Sequence, residues 1–118
     1  MADADGIMLS ERDRAIVRSV LSPFADRIDR VGVFGSRALG SARPASDIDL
    51  VIWGDLDART LARLGTLFGE SSLAVSVDVI LYGPELAAAL RRHIDRAAKT
   101  LFTRDDLRAD VVRTGMTG

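Results

Sequence analysis

Hydrophobic and polar positions change period several times along the chain, and each change marks an element. Ser10 followed by Asp13 reads as a helix start, after which Ile16, Val17, Val20 and Leu21 form one apolar face up to the break at Ser22-Pro23. A short second turn is expected to run through Ile28. Val31 to Phe34 is a β-prone run closed by Gly35-Ser36. Asp47 to Trp53 is a longer one, entered from the loop containing Pro44 and stopped by Gly54-Asp55. From Leu56 onward Leu61, Leu64, Leu67 and Phe68 recur at helical spacing as far as Gly69, and Leu73 to Leu81 returns to period two before Gly83. Pro84 suits a first helical position, after which Leu86, Leu90, Ile94 and Ala97 lie on one stripe. Lys99 to Phe102 either continues that helix or forms an edge strand. From Thr103 to Gly118 the sizeable aliphatics are Leu107, Val111 and Val112, so this tail is expected to fray or to order on a partner.

Side chains alternate between the two faces of a strand, so the strand residues sort into two surfaces. Ile48, Leu50 and Ile52 share one face of their strand, as Val75, Val77, Val79 and Leu81 do of theirs, and these seven aliphatics belong under the helices. The opposite faces carry Asp47, Asp49, Val51 and Trp53, and Ser76, Asp78, Ile80 and Tyr82. All three strand carboxylates therefore fall on the side away from the helices. A chain of this length has no residues for a second layer there, so that face is expected to need a partner. Trp53 and Tyr82 are read as interface or base-stacking residues, with shelter under a loop as the alternative. His93, beside Leu90 and Ile94, is read as a partly buried helix histidine and not as a catalytic one.

The chain has 118 residues, and no linker, repeat or low-complexity stretch divides it, so one domain over residues 1–118 is expected, with its core over about 10–102. Its formal net charge of −1 predicts no bulk attraction to nucleic acid or to an anionic membrane. The longest unbroken apolar run, Leu86 to Leu90, is far short of a membrane span. The beginning of the chain lacks the pattern of a signal peptide, which makes the cytoplasm the expected compartment. Without cysteine, and with His93 the single histidine, a metal site must be built from oxygen.

If the two strands that carry them are neighbours in register, the three aspartates converge and repel one another unless cations neutralise them. Magnesium suits this, since it takes one or two carboxylates plus substrate phosphates, and a pair of such ions can clamp an in-line displacement at phosphorus. For any one aspartate alone, a solvated residue on an exposed sheet face is the simpler reading. The Asp-x-Asp pair, the third aspartate of matching parity and the preceding turn together favour the metal site. That turn is Gly35-Ser36-Arg37-Ala38-Leu39-Gly40. Gly35 lets the backbone approach a phosphate, Ser36 adds a hydroxyl, and Arg37 can add a charge-assisted bond. An ordinary strand-to-helix turn is the alternative.

The stretch GSRALGSARPASDIDL, with Gly35-Ser36, ten intervening residues and then Asp47-Ile48-Asp49, resembles the signature of the minimal nucleotidyltransferases (MNT) of the DNA polymerase β superfamily. The likeness runs from about Val31 to Phe102, with VDVILYG supplying Asp78. It implies an α/β (α+β) fold, a small mixed sheet with helices packed on one face, and favours a strand at Lys99 to Phe102. By similarity, Asp47 and Asp49 would each bind two Mg2+ ions, and Asp78 would bind the one at the acceptor side and help deprotonate the attacking hydroxyl. Gly35 and Ser36, aided by Arg37, would hold the phosphates of ATP. The implied reaction is attack of a hydroxyl on the α-phosphorus of a nucleoside triphosphate.

Members of this group are commonly antitoxins paired with a small helical HEPN toxin, to which they add AMP. This makes a HEPN-type protein the expected partner and acceptor. Leu39 stands where the commoner version has Arg, and the basic charge of the loop rests on Arg37 and Arg43. Arg43 reads equally as a phosphate contact and as a solvated loop residue. The competing functions are a non-catalytic nucleotide-binding antitoxin that acts by complex formation, and a transferase acting on a small molecule or a tRNA end. A sugar-nucleotide glycosyltransferase is a remote third. Base preference and homo-oligomer formation stay open.

Overall fold

The computed structural model describes residues 5–109. The first helix, α1 (Glu11–Leu21), opens as the sequence predicts, with the Ser10 hydroxyl accepting from the Asp13 N–H. A 3-10 turn over Ser22–Arg27, with Pro23 in its first positions, leads into β1 (Ile28–Phe34). There follow α2 (Ser36–Leu39), β2 (Ile48–Gly54) and α3 (Ala58–Gly69), whose N-cap Asp57 accepts from the Thr60 N–H. The chain continues through β3 (Val77–Leu81), α4 (Ala88–Ala97) and β4 (Lys99–Thr103). Thr103 and Asp106 then exchange two side-chain to backbone bonds, a capping box that opens a helical turn over residues 104–109.

The strands form one mixed sheet in the order β3-β2-β1-β4, with β1 antiparallel to both β2 and β4 and β2 parallel to β3. On one face Val17 and Leu21 of α1 and Leu64 and Phe68 of α3 pack on Val31, Val33, Ile48, Leu50 and Ile52. Ile48, Leu50 and Ile52 are fully buried, as their parity requires. The same cluster takes in Ile7, Leu9 and Leu107, so the core reaches past both ends of the expected 10–102 span. Leu107 is fully buried, and the start of the tail is therefore packed and not frayed; residues 110–118 lie outside the described residues.

Several boundaries differ from the sequence reading. β1 begins at Ile28, directly after the 3-10 turn, and β3 begins at Val77, not Leu73. The serines before β3 explain the second difference: Ser71 turns its hydroxyl to the Phe68 carbonyl and receives the Leu73 N–H, which closes the helix end locally. Pro84 is not a first helical residue. The Leu86 N–H closes a turn on the Gly83 carbonyl, and helical bonding starts only with the Arg91 N–H on Ala87. Of the two alternatives for Lys99 to Phe102, the edge strand is the one formed.

The largest difference concerns α4, which lies against the opposite face of the sheet from α1 and α3. Its His93 meets the ring of Phe34 edge-on, its Asp95 accepts from the Tyr82 hydroxyl at 2.7 Å, and Ile94 is 1% exposed outside the main cluster. Crossover handedness accounts for this. The connection from β2 through α3 to β3 travels outward across the sheet, and that from β3 through α4 to β4 travels back. With one hand for both crossovers, reversing the direction changes the face. Replacing Ile94 by Ala is expected to cost about 2–5 kcal/mol in urea unfolding. Leu39→Ala, at a side chain 62% exposed, should stay within about 0.5 kcal/mol of the wild type.

Candidate active site

Strand pairing brings the carboxylates together. Asp49 lies opposite Phe34 of β1 on one side and opposite Asp78 of β3 on the other, while Asp47 is the exposed residue just before β2. Asp78 is exposed on the edge strand and Asp49 is half-buried in the middle of the sheet. Burial holds the Asp49 carboxyl above its ordinary pKa, and the negative charges of Asp78 and then Asp47 add to the shift; Arg37 and His93 oppose it. The three carboxylates thus share one field. Among the described residues no three acidic or histidine side chains form a ready-made metal cluster. The donors present are hard oxygens, and the charges of Asp78 and Asp47 bear on Asp49 at the centre. This suits a cation that completes its shell with substrate phosphates and water.

Gly35 caps α2 with φ 71° and ψ −152°, a backbone region essentially reserved for glycine. A side chain there is excluded a second time, because a Cβ would run into the Asp49 Oδ2. The turn and the central carboxylate are thus in direct contact. The Ala38 and Leu39 N–H groups bond back to the Gly35 carbonyl.

Arg37 departs from its expected place at the phosphates. It is 7% exposed, and its guanidinium donates to the carbonyls of Met8 (2.8 Å), Ser46 (2.7 Å), Asp47 (3.4 Å) and Pro44 (3.5 Å). The Met8 N–H returns a bond to the Arg37 carbonyl. Arg37 therefore ties the N-terminal segment, the loop and the backbone of Asp47 together. Sequence could not separate this from a phosphate contact, since a fork of donors suits carbonyls and phosphate alike. Arg43 is exposed, with its N–H on the Ser46 hydroxyl.

The face that was expected to await a partner is partly covered from within. α4 lies over it, Val51 is fully buried, and Trp53 stacks on Tyr82 with ring centroids 5.3 Å apart. The Arg30 guanidinium sits 3.7 Å from the Trp53 ring centroid on that same surface. Trp53 and Tyr82 thus pair with each other on this face, and both stay half-buried. His93, read from sequence as a packing residue, is placed beside Phe34 and within the field of Asp49. Period 3.6 identifies its stripe but not the sheet face that the stripe meets.

A raised pKa at Asp49 means that the folded chain holds this proton more tightly than the unfolded chain, so stability falls as pH rises from the ordinary value of 3.8 through the folded one. Asp49→Asn is therefore expected to melt above the wild type at pH 7 in the presence of chelator, with the gap closing as the pH is lowered through the raised folded value and gone below about 3.8. Arg37→Ala should lose about 2 kcal/mol in urea unfolding without nucleotide, because the carbonyls gathered round its buried guanidinium lose a charged donor. Arg37→Lys should not restore it, since an ammonium cannot span four carbonyls.

Residues 18–107 match the family model described as polymerase beta, nucleotidyltransferase. No curated protein sequence matches. Among solved structures, a protein assigned as a minimal nucleotidyltransferase is 39% identical, with a TM-score of 0.57, and the match covers 75% of this chain and 91% of that one. A toxin–antitoxin crystal structure with AMP-PNP shares 18% identity at a TM-score of 0.65 over 89% and 88% of the two chains. The tri-AMPylated Shewanella oneidensis HEPN toxin in complex with its MNT antitoxin gives 16% identity and a TM-score of 0.55 over 88% and 87%. The last two share the fold. With residues 18–107, most of its length, matched by that model, the chain belongs to the polymerase β nucleotidyltransferase family.

Proposed function

We propose that the chain, acting as one domain, is a magnesium-dependent nucleotidyltransferase that moves AMP from ATP to a hydroxyl of a partner protein. The observation that carries this reading is the register that sets Asp49 opposite Asp78 while Gly35 presses on the Asp49 carboxylate. Asp47 and Asp49 would hold two Mg2+ ions, and Asp78 the one at the acceptor side. Bound there, magnesium supplies Lewis-acid stabilisation of the charge that develops on the transferred phosphate. The backbone at Gly35 and the hydroxyl of Ser36 hold the β- and γ-phosphates. Asp78 accepts the proton of the acceptor hydroxyl. That oxygen then attacks the α-phosphorus, the bond to the bridging oxygen breaks, pyrophosphate leaves, and AMP remains esterified to the acceptor.

The acceptor in this reading is a HEPN-type helical toxin, which the chain neutralises as an antitoxin in the cytoplasm. Support comes from proteins of the same fold, one crystallised as a toxin–antitoxin pair with AMP-PNP and one whose HEPN toxin carries AMP. Among the described residues no helix is long and apolar enough to cross a membrane.

The test is transfer from ATP labelled at the α-phosphorus, with magnesium, to the protein encoded beside this one and co-expressed with it. The wild type is expected to label that protein. The Asp47→Asn/Asp49→Asn variant, checked for folding, should lose at least about 100-fold in rate, the scale of losing a group that stabilises transition-state charge. Equal transfer by that variant would overturn the catalytic assignment. Neutralisation that survives Asp47→Asn, Asp49→Asn and Asp78→Asn together would replace it with an antitoxin that acts by complex formation.

A further inference from the structure

His93 lies between anchored neighbours, yet among the described residues its ring nitrogens have no hydrogen-bond partner. On either side of it in α4, Ile94 is buried against the sheet and Asp95 is bonded to Tyr82, while Arg91 donates to the Pro84 carbonyl. The imidazole itself is half-buried and meets Phe34 edge-on, with ring centroids 6.2 Å apart and planes at 76°. No hydrogen bond reaches either of its nitrogens among the described residues, although the neighbouring contacts fix where the ring points. A half-buried polar ring of this kind leaves a donor for water or for a ligand.

The sheet order decides which ligand. Phe34 is on β1 and directly precedes Gly35-Ser36; Asp49 is on β2, and Asp78 is on β3 at the outer edge. His93 packs on Phe34 and so stands on the glycine-serine side of the carboxylates, away from Asp78. The acceptor hydroxyl belongs near Asp78 and the phosphate chain near Gly35-Ser36.

We propose that His93 is a substrate-binding residue that donates an imidazole N–H to a phosphate oxygen of the bound nucleoside triphosphate. This deepens the nucleotidyltransferase reading and rests on it. The neutral ring already carries one N–H, so no change of protonation is needed. Phe34 acts as the platform that fixes the ring plane, and α4 as the arm that carries the donor across the carboxylate face.

Calorimetric titration of the full chain with magnesium-ATP, and separately with inorganic tripolyphosphate, tests the assignment. His93→Phe keeps an aromatic edge on Phe34 and removes the donor, and it should weaken both ligands by about tenfold or more, the worth of one hydrogen bond to a charged group. His93→Gln, which keeps an N–H, should retain most of the affinity. Circular dichroism melts confirm that each variant is folded. Unchanged affinity of His93→Phe for both ligands would overturn the assignment while leaving the nucleotidyltransferase reading standing. Loss for ATP without loss for tripolyphosphate would also overturn it, in favour of a contact to the base or ribose. A wild type that binds neither ligand would overturn both readings together.

Discussion

The site depends on a contact in which nothing larger than a hydrogen fits. Gly35 lies so close to Asp49 that a methyl group in its place would overlap the carboxylate oxygen. Two segments separated in sequence by a loop are brought to that distance by one antiparallel pairing, Phe34 opposite Asp49. Slipping this register by one residue would turn Asp49 into the core and Leu50 out of it. The buried aliphatics Ile48, Leu50 and Ile52 therefore fix the chemistry as firmly as they fix the fold. The apolar face of β2 determines where its polar face can be.

The loop between the paired segments needs its own support, and Arg37 provides it from inside. A buried guanidinium has no compensation except through its hydrogen bonds, and here these run to carbonyls on three sides of the loop. Cationic charge remains beneath the carboxylates without occupying the space that a substrate needs. Asp49 feels that charge through the structure and not through an ion pair. The carboxylate field is balanced against a fixed internal cation and left incomplete on the outer side.

Much of this was legible from the residues alone. The helix start at Ser10 follows from its capping pattern, and the shared face of Asp49 and Asp78 from the period of two in β2 and β3, while their pairing needed the register that the structure supplies. What periodicity could not give was depth and side. The stripe of Leu90, Ile94 and Ala97 shows that α4 packs on something, but its face follows from the order of the strands, which a single sequence does not contain. His93 is the partly buried helix residue that its stripe predicts, but the sheet face it meets could not be read for that reason. Arg37 shows a different limit. A basic residue after Gly35-Ser36 carries the same local pattern whether it points outward to an anion or inward to carbonyls, and only the loop's closed path decides.

The stack on the carboxylate face has one more consequence. Trp53 and Tyr82 are the chain's single tryptophan and single tyrosine, and they lie against each other with planes 26° apart. Tyr82 is bonded through its hydroxyl to α4, and Trp53 lies under the Arg30 guanidinium. All near-ultraviolet emission of this chain beyond that of phenylalanine therefore originates from one coupled ring pair tied to the helix that carries His93. The fold has a built-in optical reporter: a displacement of α4 over the carboxylates changes the surroundings of a lone indole, with no second tryptophan to mask it.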